Sequence, residues 1–93
     1  MRHGRPSEEQ LRRNFDSVLT AVLSGRGVRT ETGLDHRTET ALWAVRRAHP
    51  NPPDALVAAA RRAFAGQLDG TNAAAWRAEM DRRIAARGTD PSP

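Results

Sequence analysis

His3, His36 and His49 are the residues best suited to hold a metal or move a proton near neutral pH. They are scattered, with neither a His-x-x-x-His nor a His-x-x-Glu-His spacing, so no metal site is expected. The chain has no cysteine, which excludes thiolate chemistry, cysteine-based zinc sites and disulfides. The glycines of "SGRG", residues 24 to 27, suggest a phosphate loop. However, they follow an apolar helical segment, whose C-terminal end repels anions, whereas phosphate loops precede a helix N-terminus. No nucleophile–base pair or carboxylate pair stands out. The expectation is a protein that is not an enzyme, with no cofactor, metal or small-molecule substrate.

Charge is the next candidate for chemistry. All fifteen basic residues are arginine, and the net charge is +4, mild for a nucleic-acid binder of this size. Four doublets stand out: Arg12–Arg13, Arg46–Arg47, Arg61–Arg62 and Arg82–Arg83. Neighbours on a helix stand about 100° apart, so no doublet occupies a single face. Glu8, Glu9 and Glu79 stand four residues before Arg12, Arg13 and Arg83, which favours helix-surface ion pairs. No stacking aromatics accompany the arginines, which argues against RNA or single strands. A solvated basic face is expected, and nucleic acid is the lesser partner.

Those side chains must be positioned by helices. Leu11, Phe15, Val18, Leu19, Val22 and Leu23 recur with helical period. Ser7 with Gln10 makes a capping-box start, and Gly25 is a C′ stop. A second helix starts at the Asp35 cap and ends near Ala48 or His49, where "HPNPP" cannot continue it. Its inner face is Thr38, Ala41, Leu42, Val45 and Ala48. A third opens at Pro53 or Asp54 and carries Leu56, Val57, Ala60, Phe64 and Leu68. "DGTN" ends it, with Thr71 or Asn72 capping a fourth in which Trp76, Met80 and Ile84 form one stripe up to Gly88. Residues 1–93 therefore read as one all-α, four-helix bundle-like domain, ordered over about 6–88, with a short disordered C-terminal tail. Phe15, Phe64 and Trp76 are expected in its core.

The stretch "RTETGLDHRTETALW" repeats RTET at Arg29 and Arg37. The economical reading makes the first copy loop and the second the opening of a helix. A hairpin would leave neither copy an apolar face to bury. The longer run "TGLDHRTETALWAVRR" resembles the turn and second helix of helix-turn-helix repressors. The resemblance implies a helix before the turn, Gly33 in the turn and Leu34 after it. It also implies a recognition helix capped by Asp35, with Leu42 on its inner face. Its partner would be duplex DNA, with His36, Arg37 and Thr40 near bases or phosphates, as in a DNA-binding regulator. The run departs from the pattern at Arg29, where a small residue is expected, and at Glu39, where an apolar one is.

Trp43 points away from the inner face, in a stripe with His36, Thr40 and Arg47. Tryptophan is commonly buried, as it would be on a central helix covered from two sides. At the surface, the same stripe has the composition of a partner-binding hot spot. Only 38% of residues are apolar, roughly half of them alanine, so the core is lean and a partner or self-association has stability to add. The leading expectation is a non-enzymatic protein-interaction module, accessory or regulatory and homodimer-forming in one version. The N-terminus lacks an apolar signal core, and no stretch is long enough to span a bilayer. A soluble, cytoplasmic protein without membrane contact is therefore expected.

Overall fold

In a computed structural model, which describes residues 6–88, the described chain is all-α: α1 Glu8–Leu23, α2 His36–Arg47, α3 Asp54–Asp69 and α4 Thr71–Gly88. The ends expected as disordered, residues 89–93 included, lie outside the described residues.

Each helix boundary has a local cause. The Ser7 hydroxyl accepts a hydrogen bond from the Gln10 amide at 3.1 Å, as an N-cap should. The reciprocal arm of the capping box is not used, since the Gln10 side chain donates to Asn14 instead. Past α1, Gly25 takes φ 89°, the left-handed stop that a side chain would resist. Asp35 caps α2 through the Thr38 amide at 2.8 Å. Pro53 precedes α3, in extended conformation. The expected capping of α4 by Thr71 or Asn72 is replaced by a tighter device. Gly70, at φ 86°, is the entire connection, and the Asp69 carboxylate receives the Thr71 amide at 2.8 Å. A hydrogen bond from the Thr71 side chain, with that backbone amide second to it, holds the Asp69 carboxyl below its ordinary value of 3.8.

The core comes from three helices and a loop. Phe15, Val18, Leu19 and Val22 of α1 meet Leu42 and Val45 of α2 and Ala60 and Phe64 of α3, with Leu34 closing the cluster from the connection. Phe15 and Phe64 stack at 4.5 Å between ring centroids and 5° between planes, an arrangement with more attraction than area alone supplies. Thr38, Leu42 and Val45 are fully buried, as the inner face of α2 requires. The connection from Ser24 to Asp35 is packed rather than loose. Thr32 is buried, and its carbonyl accepts from Asn14 Nδ2 at 2.8 Å. At Gly33 (φ 82°) an added Cβ would run into Leu11 and Pro6, so this turn admits only glycine.

α4 departs from the expected core. α1 packs on α2 and α2 on α3, while α4 has α3 as its only substantial neighbour. Among its residues of described burial, the one that is buried is the polar Asn72. Trp76 is 63% exposed and Ile84 62%, which corrects the expectation that Trp76 joins Phe15 and Phe64 inside. A single-residue corner at Gly70 turns the chain away from α1 before the apolar stripe begins. The radius of gyration, 16.4 Å, exceeds the ~12 Å of a compact chain of this length, as a projecting helix would cause.

Candidate interaction surface

The base of α4 is anchored by a polar junction whose members come from four parts of the chain. Asn72 Nδ2 donates to Asp35 Oδ2 at 3.0 Å and to the Ala63 carbonyl at 2.7 Å. The other Asp35 oxygen holds the Thr38 amide, and the Asp35 amide donates to Gln67 Oε1 at 2.9 Å. Gln67 Nε2 donates to the Gly33 carbonyl at 2.8 Å. One amide and one carboxylate thus tie the start of α2 and the end of α3 to the first turn of α4. The seat is tight: a Cβ on Gly66 would collide with Asn72 Oδ1. Buried polar groups satisfied in this way specify geometry, because breaking one leaves a desolvated partner behind.

Beyond this anchor α4 carries the stripe Trp76, Met80 and Ile84, of which Trp76 and Ile84 are exposed and Met80 is half-buried. Between the stripe and the first turn of α2 lies an open groove of about 480 Å³, lined by His36, Arg37, Trp76, Glu79, Met80 and Arg83 among others. Its rim mixes charges, and Arg83 pairs with Glu79 at 3.0 Å. The other two expected pairs, Arg12–Glu8 at 2.6 Å and Arg13–Glu9 at 3.8 Å, are formed as well. All three are exposed and contribute at most a few tenths of a kcal/mol. Most arginines are exposed, whereas Arg46 tucks its stem inward far enough to leave Nε buried without a hydrogen-bond partner.

The four residues grouped on the outer face of α2 are all exposed: His36, Thr40, Trp43 and Arg47. Trp43 is 40% exposed, so the reading that buries it on two sides gives way; its ring instead rests against the loop at Gly27. The stripe does not act as one surface. His36 Nε2 lies 3.5 Å from Thr40 Oγ1, and both border a shallow alanine-lined groove between α2 and α3. Trp43 leans the other way, toward the loop that follows α1. Only His36 also reaches the α4 groove.

The first RTET copy is loop and the second opens α2. The helix implied before a helix-turn-helix turn is missing: α1 ends at Leu23, and the connection to α2 is several times the three or four residues of that motif. Among the described residues no cluster of His, Asp or Glu could hold a metal, and no helix is long and apolar enough to cross a membrane. Comparison with protein-family models, curated proteins and solved structures finds no match.

Sequence periodicity placed Trp76, Met80 and Ile84 on one stripe but assigned it to the core. The signal for the opposite reading was its width. α1 presents six apolar residues over its length, whereas α4 presents one per turn, the narrow seam of a helix pairing with a single other helix.

Proposed function

We propose that this chain is a small non-enzymatic protein-interaction module whose contact surface is α4 and the groove beside it. The observation that carries this reading is the exposure of Trp76 and Ile84, each above 60%, on a helix firmly anchored at its base. A tryptophan held out on a rigid element binds with little ordering cost, and arginines around it supply charge complementarity. The partner is a helix, since a one-residue-per-turn seam about 12 Å long, from Trp76 to Ile84, matches another helix better than a strand or a loop. His36 and Arg37 form the far wall of the groove. Trp43, Thr40 and Arg47 lie along α2 outside it, where they have a lesser part.

The reading is tested by placing a photo-crosslinking residue at Ile84, with Thr20 on the exposed face of α1 as control, and irradiating the protein in native lysate. Adducts at position 84 and none at 20 are expected, with loss of the adduct in Trp76→Ala. A folded protein giving no adduct at 84, to itself or to any other chain, removes the reading.

A further inference from the structure

Beyond α4, we infer that the groove between α2 and α3 is a second docking surface, and that its occupant is an acidic helical segment of another protein.

The floor and the walls of this groove differ in chemistry. The floor is Ala41 and Ala44 of α2 with Ala59 and Ala63 of α3, all half-buried, beneath an open volume of about 580 Å³. Each pair of alanines spans about one helical turn, roughly 4.5–6 Å, which is room for one large apolar side chain. Such a side chain takes from water methyl surface that the fold itself leaves half covered. The walls are cationic. Arg37 stands on the α2 side and Arg62 on the α3 side, both exposed, and among the described residues no Asp or Glu lines the groove.

The sign of those walls says what covers them. Arg12, Arg13 and Arg83 each have a glutamate four residues earlier and pair with it. Around Arg37 and Arg62 the positions three and four residues away are all uncharged. Among the described residues neither arginine forms an ion pair. Arg37 also lies in the first turn of α2, where the helix dipole is positive and a cation is unfavourable. Asp35 does not relieve it, since its two oxygens are engaged by the Thr38 amide and by Asn72. A carboxylate brought in from outside does. Both arginines stand at the end of the groove closed by the Asn72 junction: Arg62 precedes Ala63, whose carbonyl holds Asn72, and Arg37 follows Asp35 by two residues. The occupant therefore carries its carboxylates to one side of its apolar anchor, three or four residues from it along a helix.

Shape selects a helix over duplex DNA. Packed helices with axes about 8–10 Å apart leave a slot for side chains, and four methyl groups offer nothing to a phosphate. An amphipathic helix lays its apolar residue into such a slot and presents its charges to the rim. Neither Trp76 nor Ile84 lines this groove, so it is distinct from the α4 surface. Arg37 borders both grooves, whereas Arg62 and Ala44 border this one and not the other.

The test is selection of phage-displayed random peptides on the full chain, followed by fluorescence anisotropy of the peptides recovered. They should share a Leu, Phe or Trp with Asp or Glu three or four residues away, and should bind more weakly as salt rises. Arg62→Glu, and Ala44→Phe, which fills the floor, should each weaken binding at least about tenfold, while Trp76→Ala leaves it unchanged. The far-UV circular dichroism and thermal midpoint of Arg62→Glu should match the parent. Selection repeated on Arg37→Glu/Arg62→Glu should turn to peptides rich in Lys and Arg. No binder, binders without acidic excess, or acidic binders indifferent to Arg62→Glu overturn the proposal. Labelled duplex DNA that binds in place of any peptide, and is lost in Arg62→Glu, overturns it in favour of nucleic acid. A mass of twice the chain in sedimentation velocity, lost in Ala44→Phe, overturns it in favour of a second copy. The Ile84 crosslink reads the α4 surface alone, so either reading can fail without the other.

Discussion

The two tryptophans of this chain sit at comparable places, mid-helix and facing away from the nearest core stripe, yet they live differently. Trp43 belongs to α2, which has α1 on one side and α3 on the other, and a loop rises to meet its ring at Gly27. Trp76 belongs to α4, which packs chiefly on α3, and nearly two thirds of its surface stays in water. The contrast teaches that an apolar side chain is core or contact surface according to how many neighbours its helix has. Helical periodicity is the same in both cases.

That contrast can be broken most forcefully at the body that α2 belongs to. Leu42→Ala removes a fully buried side chain between α1 and α3, and should cost about 2–5 kcal/mol, enough to unfold much of a domain with so lean a core. Urea unfolding followed by circular dichroism reads it; a loss under about 1 kcal/mol would mean that the body collapses around the gap.

Next comes the anchor of α4. Asn72→Ala takes one donor from Asp35 Oδ2 and one from the Ala63 carbonyl, for an expected cost of about 1–3 kcal/mol. Gly66→Ala drives the same amide from its seat and should cost a similar amount. The two together should cost less than their sum, since both act on one contact. Full additivity in a double-mutant cycle would mean the seat and the hydrogen bonds are independent.

Smaller, and the most direct on the comparison, is the pair of tryptophan truncations in dilute protein. Trp43→Ala should lower stability by about 1–2 kcal/mol, because part of its ring is packed. Trp76→Ala should stay within about 0.5 kcal/mol of the parent, as an exposed residue does. Equal costs in thermal unfolding would erase the distinction between the two helices.

The smallest effect is electrostatic. The Asp69 carboxyl is held below its ordinary value of 3.8 by the Thr71 hydrogen bonds. A group whose folded-state pKa is depressed adds stability that is whole above the unfolded value and disappears as pH falls through the folded one. The corner at Gly70 should therefore loosen below pH 3.8, visible as faster hydrogen exchange at the α4 start. Asp69→Asn should remove that acid dependence, and an unchanged profile in that variant would assign it to another carboxyl.

Much of the fold is legible in the residues themselves. Ser7, Gly25, Asp35 and Pro53 mark helix ends by local stereochemistry, and the six apolar residues of α1 need only a helix to share a face. The inner face of α2 follows from Thr38, Leu42 and Val45 in the same way. The candidate site was legible in part. His36 is where the helical period puts it and borders the groove, but Trp43 turned to the loop, and the stripe of α4 was read as core. Periodicity reports which side chains share a face; it does not report what lies opposite that face.

Local chemistry, acting over three or four residues, settled the four helices, their caps and the ion pairs spaced four apart. Long-range packing settled the rest. The Phe15–Phe64 stack, the descent of Leu34 and Thr32 into the body, and the Asp35–Gln67–Asn72 junction all join residues far apart in the chain. They also fix the direction in which α4 leaves Gly70. That direction alone makes Trp76 a surface residue, because a one-glycine corner permits many exits and only the tertiary hydrogen bonds of Asn72 choose among them.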